Sequence, residues 1–254
     1  MTGYVEKGGV LASRTAPAAR GVGWITDGFR HFRADWGAWL LASILLTLIT
    51  TILQVLVPVL GTVAVFLLTP VFLGGLMLGL ARRETGQPFE TADLFRAFQG
   101  HHGGQLVLVG VVSLVLNIVA LAATLAFVLV FAGAGFLTAL AQSEDMLAAA
   151  TALTFSISLL LGLLVYVALL IPITMLVWFA PALVVLENES AFAAMKHSFV
   201  GCLRNFLPYL VYGLVGLVVF PLLIVFTLGL GVFVLMPVGL ASIYSAHKDI
   251  FHRV

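Results

Sequence analysis

Four stretches of this chain contain no Asp, Glu, Lys, Arg or His: residues 36–81 (46 residues), 105–142 (38), 146–186 (41) and 205–246 (42). A helix that crosses a bilayer needs about 20 consecutive apolar residues. The first and last runs are therefore each long enough for two crossings and a turn. Mean hydropathy is +1.17 and only 9% of residues are charged, far from the soluble average. Nearly the whole chain is spoken for by membrane helices, and a separate soluble catalytic domain has no room.

Charge placement sets the expected topology. All twelve Lys and Arg lie before Trp36, between Arg82 and Arg96, between Lys196 and Arg204, or after Ala246. The connections on the other side carry only Glu144 and Asp145. Basic short loops mark the cytoplasmic side, so both termini are expected there and the number of spans is even. The reading is an all-α integral membrane protein with six transmembrane helices. Residues 1–20 are read as a disordered basic tail and 21–254 as a single transmembrane domain. The tail lacks the apolar core of a signal peptide.

The spans are expected at about 37–57, up to 81, from 105, up to 178, 207–227 and 230–246, with a turn over 58–61. Pro70 falls inside the second span and Pro172 inside the fourth. The middle runs are too long for one straight span each and tight for two. One span each is expected, with the excess near 132–135 and 139–150 as an interfacial segment; eight spans is the alternative. Gly75 and Gly79 form a small-x-x-x-small pair that suits close helix contact. Thr91 is a candidate N-cap for a short helix.

Three interfacial helices are expected. In the first, Ile25, Phe29, Phe32 and Trp36 share a face; in the last, Phe192, Met195, Phe199, Cys202, Leu203 and Phe206 do, at steps of three and four. Each precedes a span, a turn and a proline-interrupted second span, which suggests three parallel-repeat hairpins. Leu68-Thr69-Pro70-Val71 answers Leu235-Met236-Pro237-Val238.

No titratable residue falls within an expected span, where pumps and proton-coupled carriers usually keep one. The modest intramembrane polar set includes Gln54, Asn117 and Tyr166, read as helix–helix hydrogen bonds or as substrate contacts. Arg30, Arg33, Arg96, Lys196 and Arg204 would ring the cytoplasmic surface beside aromatic side chains, which suits anionic headgroups or a partner protein, or sets orientation alone. His31, His101, His102 and His197 would approach one another if the hairpins converged. No catalytic residue, metal ligand or cofactor is assigned, and no nucleic acid is expected. His197 and Ser198 are chain neighbours and point about 100° apart on a helix.

The runs WFAPALV, AMKHSF, CLRN and LPYLVYG between Trp178 and Gly213, with GWITDGFRHFR and LTPVFLGGLMLGL earlier, resemble a family of uncharacterised bacterial multi-pass inner-membrane proteins. More distantly, the layout is similar to membrane domains attached to glycerophosphodiester phosphodiesterases. No phosphodiesterase carboxylate set is present, so that activity does not carry over. The resemblance implies a bacterial inner-membrane location. The functional expectation is a non-enzymatic component that binds membrane lipid, a protein partner or a second copy of itself. The alternative is a permease for an apolar or amphiphilic solute, which would show a midplane cavity lined by Gln54, Asn117 or Tyr166.

Overall fold

The computed structural model describes residues 13–140 and 144–251. The chain is all-α, and no strand occurs among the described residues. In order the helices are α1 (Arg20–Ala34), α2 (Trp36–Leu56), α3 (Pro58–Glu84), a 3-10 helix (Thr91–Phe98), α4 (Gly103–Ala139), α5 (Glu144–Val177), α6 (Ala180–Leu186), α7 (Ala191–Arg204), α8 (Phe206–Phe226) and α9 (Val232–Phe251). A short helix followed by two long ones thus recurs three times.

Five stretches are long and apolar enough to cross a membrane: Trp36–Leu56, Pro58–Glu84, Gly103–Leu137, Ala149–Leu186 and Phe206–Phe226. The protein is a multi-pass membrane protein. α9 is not among the five, since its 20 residues include His247, Lys248 and Asp249 near the C-terminal end; six crossings remain compatible with it. The middle pair differs from expectation in one respect. α4 continues unbroken through residues 132–135 to Ala139, so no interfacial segment interrupts it there. Alanine and leucine favour the helix enough to carry it past two isolated glycines. Residues 141–143 lie outside the described residues.

The helices group into two compact units. The first joins the chain up to Val111 with Met175 onward; the second is Val112–Thr174.

The first unit is organised around α3. Its half from Pro70 to Leu80 is almost wholly buried, and α2, the 3-10 helix, α6 and α9 pack on it. The turn into it is shorter than expected. Val57 alone connects α2 to α3, and Pro58 opens the second helix rather than the turn. A residue before proline is kept out of the helical region, while proline itself suits the first helical position.

Gly75 and Gly79 serve contact within the chain. A Cβ on Gly75 would lie 2.5 Å from the backbone oxygen of Asp93, and one on Gly79 would lie 2.7 Å from its carboxylate. The pair is the notch that seats the 3-10 helix. That helix has Glu90, not Thr91, at its N-cap, with Asp93 Oδ2 accepting from the Glu90 N–H at 2.9 Å.

On both short apolar helices the packed face is carried mainly by small residues, while several large side chains of the apolar stripe face outward. α1 buries Gly21, Trp24 and Gly28 and leaves Phe29 half exposed. α7 buries Ala191, Ala194, Met195, Ser198, Gly201 and Cys202 and exposes Phe192 and Leu203; Phe206, just beyond it, is exposed as well. Close helix approach selects small residues for the packed face when the outer face also meets an apolar medium. On α1 a Cβ at Gly21 would fall 2.3 Å from the Pro208 oxygen on α8, and one at Gly28 would fall 2.4 Å from the Val238 oxygen on α9.

Gly75→Ala is therefore expected to lower the thermal midpoint in detergent, at a cost of about 1–3 kcal/mol for an overpacked contact. Gly37→Ala, where a Cβ meets nothing within 4 Å, is expected to be neutral or mildly stabilising. Equal effects from the two substitutions would contradict the notch.

Candidate functional site: a charged layer at the helix ends

The charged residues of the first unit gather where α1, α3, the 3-10 helix, α7 and α9 begin or end. Asp93 is fully buried and sits at the centre of one cluster. Arg82 Nη2 donates to both of its oxygens at 3.1 and 3.0 Å, and Arg96 Nε donates to Oδ1 at 2.7 Å. Arg82 also reaches Gln87, the Pro88 carbonyl and Glu90. A buried carboxylate held this way is a structural hub, since removing one partner strands a charge.

A second cluster joins α1 to α9. Arg20 Nε and Trp24 Nε1 both donate to Asp249 Oδ2, at 2.6 and 2.7 Å. Arg20 also pairs with Asp27, which takes Arg30 at 3.2 Å. Arg83 pairs with Asp35, and Lys248 with Glu84 at 2.6 Å. Trp24 is fully buried, and its ring lies 5.2 Å from Tyr209 and 6.3 Å from Tyr212. Trp178 and Phe179 complete this aromatic cluster. The sequence reading missed it because Trp24 lies outside the apolar stripe assigned to α1.

The corner between α6 and α7 engages three histidines through three consecutive residues. Glu187 faces His247 at 3.7 Å, Asn188 Oδ1 meets His101 Nε2 at 3.2 Å, and Glu189 Oε1 meets His197 Nδ1 at 2.6 Å. Burial raises the Glu189 carboxyl above its ordinary range, and the His197 contact opposes that shift. Burial likewise lowers the His31 imidazole, with Arg83 adding to the effect. Among the described residues no group of three His, Cys, Asp or Glu could hold a metal ion.

His197 and Ser198 do point apart. Ser198 Oγ donates to the Met175 carbonyl at 2.7 Å and accepts from the Phe179 N–H at 3.0 Å. It satisfies the backbone groups opened where α5 ends and α6 begins. Asn205 does similar work for the N-terminal segment: its Oδ1 accepts from Ala16 N–H at 2.7 Å, and its Nδ2 donates to the Arg14 carbonyl at 2.8 Å. Residues 13–19 are thus tied to α7, against the expectation of a free tail to residue 20; residues 1–12 lie outside the described residues.

Of the five cations assigned to an outer ring, Arg96 and Arg30 are engaged with Asp93 and Asp27. Arg33 and Lys196 are exposed, and among the described residues Arg204 reaches the oxygens of Ser13, at 3.3 Å. No ion pair among the described residues involves these three. Gln54 is exposed in the last turn of α2, three residues from the α2–α3 connection. Asn117 Nδ2 donates to the Ser113 carbonyl one turn back, at 2.8 Å. Tyr166 is half-buried on α5.

No family model, no curated protein and no solved structure matches this chain.

Two outcomes follow from this geometry. Asp93→Asn is expected to destabilise the fold by about 3 kcal/mol or more, as for a broken buried pair, read as a lower thermal midpoint; Asp27→Asn, at a more exposed pair, should cost under about 1 kcal/mol. Burial pushes the Cys202 thiol up to about 12, so at pH 7.5 a maleimide should label it in denaturant and leave it unmodified in the folded protein. Rapid labelling of the folded protein would contradict its burial.

Proposed function

We propose that this protein is a non-enzymatic component of a bacterial inner membrane that holds anionic lipid headgroups at its charged end. The supporting observation is the division of labour among the cations. Arg20, Arg30, Arg82, Arg83, Arg96 and Lys248 are matched to carboxylates of the same chain. Arg33, Lys196 and Arg204 are left outward-facing on α1 and α7, the helices that also expose Phe29, Phe192 and Leu203. A cation next to an exposed apolar side chain is the pairing that an interface offers, with phosphate above and acyl chain below. In this reading α9 makes a sixth crossing and both termini are cytoplasmic, because every basic segment then lies on one side. The resemblance of the 178–213 stretch to bacterial inner-membrane proteins points the same way.

The permease reading draws support from the prolines inside α3, α5, α8 and α9, which can act as kinks. It needs a polar midplane lining, and Gln54 and Asn117 occupy positions that weigh against their forming one.

The test is extraction into native-lipid nanodiscs followed by mass spectrometry of the bound lipid. Enrichment of an anionic class is expected. Each surface cation contributes about 1 kcal/mol, so Arg33→Glu and Arg204→Glu together should reduce the enrichment by at least about tenfold. Unchanged enrichment in the double variant, or bulk lipid composition in the parent protein, would move the weight to transport.

A further inference from the structure

Residues 13–16 are docked where α7 ends and α8 begins, and backbone contacts do the docking. The Arg14 N–H donates to the Ile250 carbonyl at 2.8 Å. Asn205, itself buried, grips the neighbouring groups with its side-chain amide: Oδ1 accepts from the Ala16 N–H at 2.7 Å, and Nδ2 donates to the Arg14 carbonyl at 2.8 Å. The side chains of Arg14 and Thr15 stay exposed. A segment held by hydrogen bonds with little apolar burial opens at low free-energy cost, so a weak ligand is enough to shift it.

Ser13 lies against Arg204. The guanidinium Nη1 donates to both the carbonyl and the hydroxyl of Ser13, each at 3.3 Å. Two neutral oxygens at that distance orient the group without matching its charge, since charge-assisted contacts run at about 2.7–2.9 Å. Among the described residues Nε and Nη2 make no hydrogen bond, and the side chain makes no ion pair. That leaves the side-on edge of the guanidinium, two parallel N–H donors, for a bidentate acceptor such as a phosphodiester. Its level suits one. Arg204 lies two residues before Phe206–Phe226, a stretch long and apolar enough to cross a membrane, and Leu203 and Phe206 beside it are both exposed. A cation at the entry to a span meets headgroups.

We propose that residues 13–16 are a strap that sets Arg204 for the phosphodiester of an anionic lipid: Ser13 holds Nη1, the Nε–Nη2 edge takes the phosphate, and Asn205 latches the strap that carries Ser13. Orienting the guanidinium in advance removes part of the cost of binding. Such coupling is reciprocal, so bound lipid closes the strap by the same factor by which the closed strap favours lipid. The inference rests on the headgroup reading above and adds the element that controls it at Arg204. A strap that merely covered Arg204 would be displaced by lipid, which gives the opposite sign.

Amide hydrogen exchange at Ala16 in the full chain reads strap closure directly. Exchange is expected to be about fivefold slower in phosphatidylglycerol nanodiscs than in phosphatidylcholine ones, the factor that one surface cation supplies. Arg204→Gln should remove the difference. Arg14→Ala should keep it, because the strap is held through its backbone; loss of the response there would show lipid attracting Arg14 directly and would overturn the proposal. Inorganic phosphate added to the phosphatidylcholine nanodiscs should leave exchange unchanged, and an equal slowing would overturn the headgroup as the ligand. By reciprocity Asn205→Ala should lower anionic-lipid enrichment from native membranes by about the same factor. The two readings fail separately. Bulk lipid composition around the parent protein sinks the headgroup reading, whereas anionic enrichment with unchanged or faster exchange at Ala16 overturns the strap alone.

Discussion

Asp93 is a carboxylate removed from solvent in a chain with few charges to spare, and much of the first unit answers to it. Its two oxygens take Arg82 from the end of α3, Arg96 from its own helix and the backbone of Glu90. A buried charge has to be matched from several sides. That requirement fixes where the 3-10 helix ends, how close it comes to α3 and why that approach crosses Gly75 and Gly79. Phe89, in the strand of chain leading to Asp93, stacks on Trp39 at 4.1 Å and so reaches α2 as well.

The same logic orders the rest of the charged layer. Three of the ion pairs join segments far apart in the chain: Arg20 to Asp249, Arg83 to Asp35, Lys248 to Glu84. These contacts lie at helix ends, while the helix bodies meet through small residues and aromatic rings. In a chain whose surroundings are as apolar as its own side chains, burial of apolar area alone does not choose which helices pair. Polar contacts at the ends and steric notches along the bodies do the choosing. Arg33, Lys196 and Arg204 take no part in these pairs among the described residues.

The order of the helices and most of their boundaries were legible in the sequence, because charge-free runs of fixed length have few places to go; the separate helix α6 and the unbroken course of α4 to Ala139 were not. The end of α5 at Val177 also falls beside the expected end of the fourth span at 178. Less legible were the faces. Apolar periodicity in α1 and α7 identifies a stripe, yet in a membrane a stripe of large side chains can face lipid as readily as protein. The inward face was carried by Gly21, Gly28, Ala194, Ser198 and Gly201, which no hydrophobic scale ranks highly.

What the sequence determined by itself was membrane residence and helical class, since both follow from composition and run length. The tertiary structure alone decided the partners of the charges that pair across the chain. Arg83 and Arg33 look alike as basic residues in the last turn of a helix; one pairs with Asp35, 48 positions away, whereas the other is in no ion pair among the described residues. That difference depends on which carboxylate the fold brings within 3 Å. Sequence spacing holds such information for neighbours on one helix and not for residues dozens of positions apart.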